Sequence, residues 1–147
     1  MDLAARLARD HQFAAAALAA PAVWLAMHAF AQPGADPSWV LRDPLRFASL
    51  VFAWPLLEEL VFRGAIQPAL LRKRWGEREA FGVSTANVAT SLLFAGAHLA
   101  THSPEWAAAT LFPSLAFGYF RDRYQSLVPG TALHVLYNFG WFLLAGA

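Results

Sequence analysis

Between residues 44 and 71 the chain is almost entirely apolar, yet Glu58, Glu59 and Arg63 stand in the middle of that stretch. Two later apolar stretches carry Phe94-x-x-x-His98 and His134-x-x-x-Asn138. An ionised side chain at a bilayer centre costs roughly 2.5–3.5 kcal/mol even on the lenient insertion scale. Polar groups kept at that cost are expected to form one site, and any fold for this chain must bring separate helices together around them.

Five apolar segments stand out, at 12–31, 44–71, 83–102, 104–120 and 127–146, with breaks at turn and breaker residues. With 58% apolar and only 14% charged residues, the chain is too apolar for an ordinary soluble domain. The expectation is an all-α, polytopic membrane helix bundle of about five transmembrane helices in one domain over residues 1–147. Placing the N-terminus inside puts Arg6, Arg9, Arg72, Lys73, Arg74, Arg78, Arg121 and Arg123 on the cytoplasmic side and leaves only Arg42 and Arg46 outside. The bundle is therefore expected N-in and C-out. A net charge of +1 offers no case for nucleic-acid binding, and the absence of cysteine excludes disulfides, thiolate ligands and a cysteine nucleophile.

Smaller signals accompany this frame. Arg6, Arg9, an alanine-rich core and Ala29-Phe30-Ala31 also fit a signal peptide with its cleavage site, as an alternative to a first span. Ser103 and Pro104 are placed to cap and start the fourth segment. Pro55 is expected to interrupt the second. Trp39, Trp75 and Trp106 are read as interface anchors and Trp54 as buried. Gly96 is read as a close helix contact, and His11, His28 and His102 as incidental. The Arg72–Arg78 cluster is read as a topology determinant near anionic lipid heads.

On a helix, Glu59 and Arg63 are i,i+4 with the acid first, the favourable order for an ion pair. Glu58 lies about 100° from Glu59 around the helix, so it faces elsewhere without a local cation. A carboxylate so placed suits a general base, with Glu59 and Arg63 as its support. His98 shares a face with Phe94, Ser91 and Asn87, one turn apart. His134 and Asn138 are i,i+4 on the last segment, and both offer N–H donors to a developing oxyanion, each worth about 2.7–4 kcal/mol in well-studied cases. At 1.5 Å per residue, His98 falls towards the outer end of its segment and His134 nearer the inner end of the last, so both must still reach one pocket.

Glu58-Glu59-Leu60-Val61-Phe62-Arg63-Gly64, Phe94-Ala95-Gly96-Ala97-His98 and His134-Val135-Leu136-Tyr137-Asn138 resemble the three signature motifs of the CAAX-type prenyl endopeptidase and bacteriocin-processing family. They occur in the family's order, and the resemblance covers residues 44–146. It implies an intramembrane glutamic-type endopeptidase of the bacterial cytoplasmic membrane, acting on a membrane-associated protein or peptide such as a C-terminal tag, leader or CAAX-like end. It further implies that Glu58, helped by His98, activates water, that His134 and Asn138 hold the oxyanion, and that Glu59, Arg63 and Phe94 support them. No cofactor is required on this reading.

Other chemistries compete. Glu58, His98 and His134 could ligate zinc in a metalloprotease. Ser84 could act as a nucleophile with His134. The polar residues could line a proton or ion path, although no inverted repeat supports one. A non-catalytic immunity or scaffold protein would keep the same fold.

Overall fold

The computed structural model describes residues 2–28 and 36–145. Its helices are α1 (Leu3–Ala8), α2 (His11–His28), α3 (Trp39–Arg42), α4 (Pro44–Ala48), α5 (Trp54–Glu59), α6 (Gln67–Leu71), α7 (Thr85–His98), α8 (Pro104–Tyr124) and α9 (Val128–Ala145). A short antiparallel hairpin, β1 (Glu79–Ala80) with β2 (Val83–Ser84), joins α6 to α7. The fold is all-α apart from that hairpin. The cleavage-site reading at Ala29-Phe30-Ala31 falls outside the described residues.

Pro55 does not interrupt its segment. From α4 through α6 the helix is continuous, and it widens into two π-helical turns, Ser49–Ala53 and Leu60–Ile66. Each turn ends two residues before a proline, Pro55 or Pro68. A proline within an α-helix meets the carbonyl four residues back and offers no N–H, and a wider turn relieves that clash.

The widening leaves two carbonyls without a helical partner. Trp54 gives its N–H to Ser49, and Gln67 gives its N–H to Phe62, both five residues back. The next acceptors in that pattern, Leu50 and Arg63, would need N–H groups from Pro55 and Pro68, which have none. Other helices supply the donors. Asn138 Nδ2 of α9 donates to Leu50 O at 3.1 Å, and Arg121 Nε of α8 donates to Arg63 O at 3.1 Å.

Helix α8 packs between α7 and α9, and α2 lies against α9 and α8. Ala20, Phe117, Phe120, Leu133 and Tyr137 form the apolar core between α2, α8 and α9. Indole N–H groups pin the outer elements to α9, from Trp24 to Tyr137 O and from Trp39 to Phe142 O, each at 2.9 Å. The cap expected at Ser103 is present, its Oγ accepting from Trp106 N with Pro104 in the first turn.

Burial runs opposite to that of a water-soluble domain. Glu59, Arg63, Gln67, Asn87, Thr90, Ser91, Ser114 and His134 are buried, while Leu18, Leu41, Leu45, Phe52, Leu56, Leu60, Leu92 and Phe112 are exposed. Much of the interior is a polar seam. Gln67 Nε2 donates to Gly118 O, Asn87 Nδ2 to Leu115 O and Ser91 Oγ to Asn87 Oδ1, which sews α6 and α7 to α8.

The expected count of five spans is not matched helix by helix. Among the described residues, no helix is long and apolar enough to cross a membrane. The sequences explain why: the continuous stretch from α4 to α6 holds Arg46, Glu58, Glu59 and Arg63. Helix α7 has only 14 residues, and α8 carries Glu105, Arg121, Asp122 and Arg123. Helices α2 and α9, at 18 residues each, include Pro, His and Gln or Asn within their length.

Candidate active site

Glu59 and Arg63 form the expected pair, with Arg63 Nη1 3.2 Å from Glu59 Oε1 and both side chains fully buried. That contact lies outside good hydrogen-bond geometry. The guanidinium's directional bonds run instead from Nη2 to Ser114 O at 2.9 Å and to Ser114 Oγ at 2.5 Å. Three rings surround it, Phe94 at 4.8 Å, Phe117 at 5.8 Å and Phe62 at 6.0 Å. A cation against aromatic faces in a dry interior keeps part of the stabilisation it loses with water.

Glu58 faces the other way, as helix geometry requires. Its side chain is 29% exposed and lines a cavity of about 480 Å³. His98, His134 and Asn138 line the same cavity, so the two histidines from opposite ends of their segments meet there. Phe94 is the hinge of that meeting. Its ring packs 4.7 Å from His98 and, edge to face, 5.7 Å from His134.

His134 bridges the two glutamates. Its Nδ1 lies 3.0 Å from Glu59 Oε1 and its Nε2 lies 3.4 Å from Glu58 Oε2. A carboxylate only accepts, so Nδ1 carries a proton towards Glu59, and the ring is further held by stacking on Phe117 at 4.9 Å. This double contact was not expected for a residue read as a free oxyanion donor. His98 is oriented in a similar way. Its Nδ1 donates to Phe94 O at 2.9 Å, so in the neutral ring Nε2 keeps its lone pair.

Asn138 is tied to a second helix as well. One of its amide N–H groups is committed to Leu50 O, which leaves a single N–H for any ligand in the cavity. Among the described residues no group of three or more His, Asp or Glu side chains stands where it could hold a metal ion, and both nitrogens of His134 face carboxylates. Ser84 is not among the residues that line the cavity. Its Oγ donates to Asp122 Oδ2 at 2.7 Å and caps α7 by accepting from Asn87 N.

Three further expectations are corrected. His102 lines the cavity, with its ring 5.7 Å from His98 and stacked on Trp106 at 5.5 Å. Its place one turn beyond His98 was the available signal. Trp54 is half-exposed at the cavity wall rather than buried, and Trp106 packs against Trp141 there. Gly96 makes no close contact, since a Cβ added there meets nothing within 4 Å. His11 and Trp75 are exposed, and the side chain of His28 lies outside the described residues.

One cavity of this helical bundle pools a carboxylate, two imidazoles and a carboxamide, with no serine or cysteine among its lining residues. The model of the type II CAAX prenyl endopeptidase Rce1-like family matches residues 40–140. The chain belongs to that family, a family of proteases. The match takes in every one of the polar motifs and leaves α1 and α2 outside it. No curated protein and no solved structure matches the chain.

Proposed function

We propose that this chain is an intramembrane endopeptidase that cleaves a membrane-associated protein or peptide by water activated at Glu58. The observation that carries the reading is the shared cavity of Glu58, His98, His134 and Asn138. Water held between the Glu58 carboxylate and His98 Nε2 gives up a proton to Glu58 as its oxygen attacks the scissile carbonyl carbon. The free N–H of Asn138 donates to the oxyanion that forms, joined by His134 when its Nε2 carries a proton. Glu58 then passes its proton to the leaving amine, and the peptide bond breaks. Glu59 and Arg63 do no chemistry here; they fix the His134 ring and the helix that carries Glu58.

Membrane embedding is part of the proposal. It is supported by the apolar exterior over a polar interior and by the family's membrane-bound members. The bundle sits in the bacterial cytoplasmic membrane, N-in and C-out, its helices jointly presenting apolar faces to lipid.

The test is a reconstituted reaction. Purified protein in vesicles is mixed with membranes from cells carrying Glu58→Gln, in water enriched in oxygen-18, and protein termini are read by mass spectrometry. New C-termini should appear with wild type, each bearing heavy oxygen, and should persist with a chelator present. Cleavage that stops with chelator and returns with zinc would reassign the chemistry to a metal. Cleavage by Glu58→Gln itself would overturn the reading.

A further inference from the structure

We infer that the β1–β2 hairpin is a membrane-surface contact that seats Phe81 among anionic phospholipid headgroups. The two-residue turn has positive φ at both central positions, 54° at Phe81 and 77° at Gly82. Such turns favour Asn-Gly or Asp-Gly, because a side chain at the first position is strained and faces outward. This chain places a phenylalanine there, with relative exposure of 106% and nothing of its own to cover it. A turn bathed in water gains nothing from that choice.

The hairpin is held firmly enough to present the ring. Ser84 at its base bonds Asp122 at 2.7 Å, and Gly82 backs onto Tyr119, whose ring is 3.6 Å from where a Cβ would stand. Immediately before it come Arg72, Lys73, Arg74 and Arg78, all exposed. Among the described residues none of their side chains makes a hydrogen bond or ion pair. They outnumber the two acids of the segment, Glu77 and Glu79.

The same end of the bundle is cationic beyond the hairpin. Tyr119 reaches Gln12 at the start of α2, and Tyr124 reaches Asp10, with the Arg6 guanidinium 4.9 Å over the Tyr124 ring. Of the acids at this end, Asp10 is already engaged by Tyr124 and by Arg123 at 3.1 Å, and Asp122 by Ser84 and by Arg121 at 3.1 Å. Towards the far end of α9 the cations are fewer: Arg42, paired with Asp36 at 2.7 Å, and the exposed Arg46. Unpaired cations in the segment that leads to an exposed aromatic ring match a negatively charged headgroup layer with an apolar boundary beneath it. The inference rests on the membrane embedding proposed above; it stands apart from the catalytic reading and needs no substrate.

The chain has no cysteine, so Phe81→Cys takes a single nitroxide label without further change. The labelled full-length protein is reconstituted into phosphatidylcholine vesicles with and without phosphatidylglycerol. Collision of the label with oxygen and with a water-soluble nickel chelate is read by power-saturation EPR. Adding phosphatidylglycerol should cut the chelate collision rate several-fold and raise that of oxygen. The same label in a chain with Arg72, Lys73, Arg74 and Arg78 changed to Gln should lose that response. A label equally open to chelate in both vesicles overturns the inference, as does one equally immersed in both. Shielding from both reagents would mean that a second copy of the chain covers the tip, and would overturn it too.

Discussion

Asn138 Nδ2 donates to the carbonyl of Leu50 at 3.1 Å, the one acceptor in its turn that Pro55 leaves without a helical N–H. The bond ties the last helix to the π turn just ahead of Glu58. Asn138 therefore has a positioning duty alongside any contact it makes with an oxyanion. Losing it strands a half-buried carbonyl, at a cost of about 1–3 kcal/mol.

Asn138→Ala should accordingly lower the unfolding temperature, and much less so in a Pro55→Ala background, where residue 55 regains the N–H that Leu50 lacks. A double-mutant cycle by thermal unfolding reads this coupling. Strict additivity of the two changes would show that the amide does not act through Leu50.

The two glutamates should separate cleanly. Glu59→Gln leaves Arg63 as an uncompensated charge with no exposed surface, a loss of about 3–5 kcal/mol in comparable buried pairs. Glu58→Gln keeps a polar group at the cavity wall and should unfold within about 1 kcal/mol of wild type. Denaturant unfolding of both variants, compared with wild type, checks the ranking.

Acid stability should depend on Asp10. Burial alone would raise its pKa, but the Tyr124 hydroxyl, the N–H groups of Phe13 and Gln12 and the Arg123 charge outweigh that and hold it below the ordinary range. The unfolded chain then takes up the proton first. The Asp10 contribution is full above the unfolded value of about 3.9 and is lost as pH falls through the lower native value. Unfolding temperature against pH should drop more steeply below about pH 4 in wild type than in Asp10→Asn, which should also be the less stable of the two at pH 7.

Glycines should respond unequally to alanine. A Cβ at Gly118 would lie 2.0 Å from Asn87 Oδ1 and 2.9 Å from Gln67 Oε1, within the polar seam. Gly118→Ala should cost about 1–3 kcal/mol or more through overpacking. Gly96→Ala meets open space and should be neutral or stabilising by up to about 1 kcal/mol. Thermal unfolding of the pair distinguishes them.

Local rules reached the features that depend on one helix. The i,i+4 spacing of Glu59 and Arg63, the outward turn of Glu58 and the Ser103–Pro104 start all follow from 100° per residue and from capping chemistry, and all are present. Relations between helices were not legible in the same way. That His134 lies against both glutamates depends on the packing of α9 against α5, which periodicity does not encode. The partners of Leu50 and Arg63 depend on prolines acting at a distance of five residues and on helices far along the chain. Trp54 and Gly96 were misplaced for one reason: residue type predicts burial poorly where apolar side chains face outward and polar ones inward.

The central claim is that Glu58 makes this chain a protease. It is tested most directly by comparing protein termini, by mass spectrometry, in cells carrying wild type or Glu58→Gln at matched levels. The account predicts a set of termini present with wild type and missing with Glu58→Gln, all flanked by membrane-associated sequence. Identical termini in the two, in cells expressing their full complement of membrane proteins, would contradict it and leave a non-catalytic scaffold in its place.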